Sequence, residues 1–444
     1  MTGARRARVS GLIGPRWLPD VPTKCTIRVV RILLATHGTR GDVQPVLALA
    51  IALRARGHDL RVLAPSNFAD WVRRHGFTCE SDGVDVEEVL RGPDVNMHSF
   101  RSQMRYLRTL VPQLFRAVSD ASAGTDLIVG AGLQLAAGSV ADMRGVPYVN
   151  VVFCPCGLPS SVAPPIPVQT LPAWMNRLCW RLGVPITDVL LRGPVNAGRA
   201  ELGLAPIARP MTMLLHRPTI VAADSELAPL PPDAPPAAVQ TEAWILEGPG
   251  NPGNPGNNVA LDPAVVAFLA EGPPPVYVGF GSMIAKRLDR LVSSLSRLAA
   301  TRRCRLIVAG GWARLHGLMS SSSNVLIIDQ APHQTLFPRV AAVVHHGGAG
   351  TTTAAARAGV PQVILPHLLD QFYWAHRIEL LGLGPKPLPV QRVTADALAD
   401  RLGRVLDDAR YRERAREVGA RVAGRNGVGA AVAHLEQILA RCRA

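Results

Sequence analysis

The chain has 444 residues, 48% hydrophobic and 18% charged, which supplies apolar material for two or three domains of roughly 150 residues each and excludes a wholly disordered chain. The formal net charge is +15, from 48 basic and 33 acidic residues, and lysine occurs only at Lys24, Lys286 and Lys386. Such a surface draws nucleotides or anionic lipid, but aromatics are only 5% and no basic run with interleaved aromatics occurs, so nucleic-acid binding is set aside.

Residues 1–28 are basic and lack an apolar core ending in a small-residue cleavage site; they read as a disordered extension. "VVRILLAT" (29–36) is a short apolar run, hence a buried strand. After a polar glycine turn, Pro45 opens a helix with Val46, Leu49, Ala50 and Leu53 at helical spacing, and Gly57 ends it. "HDLRVLAP" is the next strand, and "TDLIVGAG" (125–132) and "VPYVNVVF" (146–153) follow, each after a helical stretch. These place a first domain over 29–227.

Between them, "MHSFRSQMRYLRTLVPQLFRAV" (97–118) is a basic amphipathic helix. Residues 154–186, rich in Pro, Trp and Leu, either line an apolar cleft or serve as loop and core packing. From 228 to 260 the chain is a Pro/Gly-rich linker, "APLPPDAPPAAVQ" then "EGPGNPGNPGNN", with no regular element expected. Strand–helix alternation resumes over 261–424 with "PVYVGFGS", "CRLIVAGG", "NVLIIDQ", "AAVVHHGG" and "PQVILP". A last helix, 425–444, has one apolar face with which to pack back across the blocks. The fold class is α/β, two doubly wound Rossmann-like domains facing each other across a cleft.

The seven cysteines are scattered, and Cys154-Pro155-Cys156 is too tight for a zinc or redox motif; they read as free thiols in a reducing compartment. No apolar run is long enough to span a bilayer. The expected location is cytoplasmic, with docking at the inner membrane surface compatible with the arginine-rich, partly apolar surface.

The segment "VVHHGGAGTTTAAARAGVPQVILPHLLDQ" (343–371) carries most of the chemistry. A strand ends in a glycine loop, and a helix starts from it. Ligands bind at the carboxyl ends of strands in open α/β sheets, glycines admit a bulky anion, and a helix start offers unpaired N–H groups. His346 and Thr351 add donors, while Gly347, Gly348 and Gly350 leave room. A plain strand–helix turn is the alternative, since the pattern is neither G-x-G-x-x-G nor a P-loop. "VGFGSM" (278–283) offers Ser282 to the same phosphates, and Asp370 beside Gln371 suits the hydroxyls of a sugar ring, or Asp370 simply caps a helix.

This segment, with "HGTRGDVQP" (37–45), resembles the family 1 glycosyltransferases, and most of all the branch holding sterol glucosyltransferases and glycopeptide-antibiotic glycosyltransferases. The likeness runs from about Arg31 to the last helix and is weak over residues 90–260. It implies the GT-B fold, an acceptor site in the first domain and a nucleoside-diphosphate sugar in the second. It further implies diphosphate contacts from Thr39, Ser282, His346 and Thr351, and sugar contacts from Asp370 and Gln371. Gln330 stands where plant members stack a Trp on the base, so base recognition falls to the backbone around Gln330 and Ala331, with uridine and thymidine donors both open.

Transfer to a hydroxyl needs a base. Many relatives place histidine in the slot that Asp42 fills here, so Asp42 is the expected base, with helix capping beside Pro45 as its structural alternative. His37 is the second candidate, read as structural. The Asp that partners histidine in such relatives corresponds to Gly130, so no His–Asp relay is expected. No D-x-D triplet occurs, so neither a carboxylate-held metal nor any other cofactor is expected. The expected reaction is inverting, metal-independent hexosyl transfer to a lipid, sterol, polyketide or glycopeptide hydroxyl. A GT-B epimerase and a non-catalytic nucleotide-sugar binder are the alternatives.

Overall fold

The computed structural model describes residues 29–92, 99–246, 261–281, 293–297, 299, 304–311, 321–368 and 370–442. The extension 1–28 and Ser282 lie outside the described residues.

The first lobe is built on seven parallel strands, β1 (Arg31–His37), β2 (Asp59–Ala64), β3 (Thr78–Ser81), β4 (Leu127–Gly132), β5 (Tyr148–Val152), β6 (Thr219–Val221) and β7 (Ala238–Gln240), in the order 3-2-1-4-5-6-7. β1 is central, pairing Ile32 with Leu60 on one side and Leu127 on the other. Helices cover both faces, so β1 reads as a continuous apolar run, without polar alternation, and is buried from Ile32 to His37. The second lobe has β8 (Val276–Gly279), β9 (Leu306–Ala309), β10 (Val325–Ile328), β11 (Ala342–His345) and β12 (Gln362–Ile364), also parallel, in the order 10-9-8-11-12. The strand order reverses between β1 and β4 and between β8 and β11. Loops leaving those four strands therefore open into the crevice where such sheets bind ligands.

Three local expectations are corrected. The helix expected to open at Pro45 starts five residues earlier and spans Arg40–Ala55, because Thr39 and Asp42 form a capping box; Pro45 sits inside it. The stretch expected to hold no regular element contains β7, which pairs with β6 at the sheet edge; three residues free of proline are enough there. Cys154 and Cys156 are joined in a disulfide, so they are not free thiols.

The lobes are tied together at one end. Arg357 of the second lobe makes a two-pronged pair with the fully buried Asp224, which lies beyond β6 (Nε–Oδ2 2.9 Å, Nη2–Oδ1 2.7 Å). Arg421 pairs with Glu226, and Arg425 with Glu242. An apolar cluster, including Leu227 and Val221 of one lobe and Trp374 and Val418 of the other, lies under these pairs. The final helix, Gly427–Arg441, returns to the first lobe. Its Ala431, Val432 and Leu435 join the core of Leu34, Leu49 and Val62, and Glu436 grips the Arg56 guanidinium through both oxygens. No helix among the described residues is long and apolar enough to cross a membrane.

Candidate active site

The loop leaving β1 forms one wall. Gly38 has φ +149°, and a Cβ there would overlap the Asp42 carboxylate; glycine thus lets that carboxylate fold back over the turn. Asp42 Oδ2 accepts from Thr39 N at 2.8 Å. Asp42 Oδ1 points toward Gly132, the last residue of β4. Asp42 is therefore both a helix-capping group and a carboxylate at the switch point. Burial pushes its pKa up to about 6, against the Thr39 amide and the neighbouring His37, which lower it. The Thr39 hydroxyl accepts from Gly41 N at 3.3 Å.

His37 is 2% exposed, and both ring nitrogens are occupied, Nδ1 by Asp82 Oδ2 at 2.6 Å and Nε2 by the Tyr106 hydroxyl at 3.2 Å. His37 thus has a carboxylate partner, though not at Gly130, where the relay Asp of such relatives would stand. Its carboxylate comes from the loop after β3, and Asp82 Oδ1 is spent on Val84 N. With no ring nitrogen left for a substrate, His37 braces the loop that carries Asp42.

The opposite wall comes from β11. The two adjacent histidines divide the work. His345 is fully buried; its Nε2 meets Gln362 Oε1 at 2.9 Å and its Nδ1 accepts from Gly347 N at 3.1 Å. Burial lowers its pKa to about 4. It is a structural pin, neutral at physiological pH. His346 lies between Gly281, the residue after Phe280 beyond β8, and Gly348. Its Nδ1 is buried without a hydrogen-bond partner, and burial holds the ring neutral. A Cβ at Gly348 would overlap His346 Nε2. Gly348 is also the N-cap of the helix Ala349–Arg357 and supplies no side-chain cap. The helix's first internal bond runs from Thr352 N to Gly348 O, so the amides of Ala349, Gly350 and Thr351 lie ahead of it. Gly350 has open space over its Cα, Thr351 is half-buried, and Gly347, at φ +91°, packs under the loop against Ile364 and Gln371.

Beyond β12, Asp370 precedes the helix Gln371–Leu380 but makes no capping bond with its side chain, so helix capping does not occupy it. Burial raises its pKa to about 7 and repulsion from Asp42, on the other lobe, adds to that, against its own amide and Trp374, which lower it. The Gln371 carboxamide oxygen is committed to the loop, accepting from His367 N and Leu368 N at 2.8 and 3.1 Å. Gln330 and Ala331 follow β10. Gln330 is exposed, and its side-chain oxygen accepts from Arg40 Nη1 of the other lobe at 2.8 Å.

The predicted residues other than Ser282 thus fall on the loops, or the first helical turns, that follow β1, β10, β11 and β12. The Arg40–Gln330 bridge and the His37–Asp82–Tyr106 chain were not visible in the sequence. Their partners lie 290, 45 and 69 residues apart, with no local pattern linking them.

Residues 32–149 match the Glycosyltransferase family 28 N-terminal domain, and residues 304–437 match the Erythromycin biosynthesis protein CIII-like C-terminal domain. The chain is 35% identical to the vancomycin aglycone glucosyltransferase of Amycolatopsis orientalis, over 84% of this chain and 90% of that protein. It is 29% identical to sterol 3-beta-glucosyltransferase UGT80B1 of Arabidopsis thaliana, over 91% of this chain and 67% of that one. Among solved structures, glycosyltransferase VinC in complex with dTDP superposes with a TM-score of 0.60 at 20% identity, over 93% of this chain and all of that one.

Proposed function

Since the chain belongs to the family 1 glycosyltransferases, in the branch of the glycopeptide and sterol enzymes, we propose that it moves a hexose from a UDP- or dTDP-sugar to a hydroxyl of a hydrophobic acceptor, with inversion. The observation that carries this reading is the pair of facing walls: an uncapped helix start beside the partnerless His346 Nδ1 on one lobe, and the Asp42 carboxylate on the other.

In this reading the diphosphate rests on the first-turn amides of Ala349, Gly350 and Thr351 and on His346, which stabilise the negative charge of the leaving group. The helix start takes the charge-compensating place that a divalent cation holds elsewhere, and no cofactor is required. Asp370 holds a hexose hydroxyl, and the backbone at Gln330 and Ala331 holds the base. Ionised Asp42 takes the acceptor's proton as the new C–O bond forms on one face of the anomeric carbon. The bond to the diphosphate breaks on the other face, and the electron pair leaves with the phosphate oxygen. The first lobe carries the acceptor, whose apolar body suits the segment after β5. A screen of sugar nucleotides against apolar alcohols, read by mass spectrometry, tests this. The expected product is an acceptor one hexose heavier; release of free hexose alone, across all acceptors, would refute transfer.

A further inference from the structure

Transfer chemistry leaves one surface of the first lobe unexplained. The helix Ala173–Glu201 turns Trp174, Leu178, Leu182, Ile186 and Val189 outward, each between 44% and 64% exposed. Spaced three or four residues apart, they form one stripe along four turns. The other face is buried through Asn176, Trp180, Leu191 and Val195. The preceding loop is pinned onto the first turns, with Asn176 Nδ2 donating to Ser161 O at 2.8 Å and Trp180 Nε1 to Ala163 O at 2.7 Å. That loop leaves Ile166 and Val168 exposed as well. Folded chains seldom leave so continuous an apolar face in water without a partner.

The charges around the stripe identify the partner. Its exposed charged neighbours on the helix are Arg177, Arg181 and Arg192. Asp188, the helix's one carboxylate before Glu201, is 3% exposed and occupied by the amides of Met211 and Thr212. The helix Phe100–Ala121, packed alongside, exposes Arg101, Arg105 and Arg108 and has no carboxylate before Asp120. Asp233, near Arg177 at 3.4 Å, is the acidic exception at the base of the loop. A two-fold contact with a second copy would set these arginines against each other, whereas a sheet of anionic headgroups over an apolar interior matches both features.

We propose that this face docks the protein on a bilayer bearing anionic lipid. The root of the same loop, Cys154, Leu158 and Ala163, packs in one cluster with Tyr373 and Trp374 of the second lobe, a few residues from Asp370. Docking thus sets the cleft beside the bilayer; that a lipid-borne hydroxyl is then the acceptor rests on the proposed function, while the docking does not.

Flotation of the full chain with vesicles, without donor or acceptor, tests the surface. Vesicles of equal parts phosphatidylglycerol and phosphatidylcholine should carry the protein, with at least tenfold weaker binding to phosphatidylcholine alone. The double variant Leu182→Glu/Ile186→Glu alters exposed positions and should lose at least tenfold in vesicle binding while keeping its melting temperature. The triple variant Arg177→Ser/Arg181→Ser/Arg192→Ser should lose the preference for anionic vesicles. Absent vesicle binding, equal binding by the double variant, or a wild-type dimer that this variant turns into a monomer would each overturn the proposal. Nucleotide affinity of the wild type, measured separately, reports on the transfer reading alone.

Discussion

Replacing Asp42 with Asn should disable the enzyme and stabilise the fold at the same time. The carboxyl moves from its ordinary value of 3.8 to about 6 in the fold, chiefly through burial. At about 1.4 kcal/mol per pH unit, keeping it ionised costs about 3 kcal/mol. Asp42 retains part of its surface open to the cleft, which trims the figure to about 1–3 kcal/mol. The sign follows from the raised value. Below pH 3.8 the group is protonated folded or unfolded and contributes nothing; the cost grows as pH rises and is complete above about 6. Asn keeps an oxygen for the Thr39 amide, so the capping box survives. Thermal unfolding of D42N should then show a melting temperature about 1–3 °C above wild type at pH 8, with no gain near pH 4. Transfer should fall by a factor of about 10² to 10⁴, the usual worth of a general base, with nucleotide affinity preserved. Turnover within a few-fold of wild type would remove Asp42 as the base. A stability gain as large at pH 4 as at pH 8 would show that burial of a charge is not its cause.

The pH dependence of kcat/KM for transfer should have an acid limb at about 6, with activity lost as pH falls through it; a flat profile down to pH 5 counts against ionised Asp42. His346→Ala should weaken UDP or dTDP binding at least about tenfold by calorimetry, the loss of a hydrogen bond to a charged group, and unaltered affinity would take His346 out of the phosphate site. Gly348→Ala, by pushing the imidazole aside, should reproduce that loss. Asp224→Ala strands the partly buried Arg357 guanidinium, 18% exposed, and should cost about 3 kcal/mol in denaturant unfolding; a change under about 1 kcal/mol would mean that water already solvates Arg357.

Much of the frame was legible because it is written locally. Strands β1, β2, β4, β5 and β8 to β12 each announce themselves as short apolar runs beside a turn, and the β11 loop and its helix are contiguous from His345 to Arg357. Strands β3, β6 and β7 run three or four residues, as β8 to β12 do; β3, with the sequence TCES, is too polar to stand out as an apolar run. Proline content hid β7, though its prolines flank the paired residues. The start of the helix Arg40–Ala55 was misplaced because Pro45 is the louder signal, whereas the Thr39–Asp42 box sets the boundary. His346 and Asp370 were singled out by motif and resemblance. What no motif contains is the division of labour between His345 and His346, which depends on Gln362 from the neighbouring strand.

The return of Gly427–Arg441 to the first lobe has a practical side. The polypeptide crosses between the lobes twice, so the first lobe is not one continuous stretch of sequence, whereas the second is. A hybrid that borrows its acceptor half from one relative and its donor half from another needs two splice points, with the tail travelling with the front. Cut once between the halves, such a hybrid would join Leu34, Leu49 and Val62 to a foreign tail, and its losses would be misread as incompatibility of substrates.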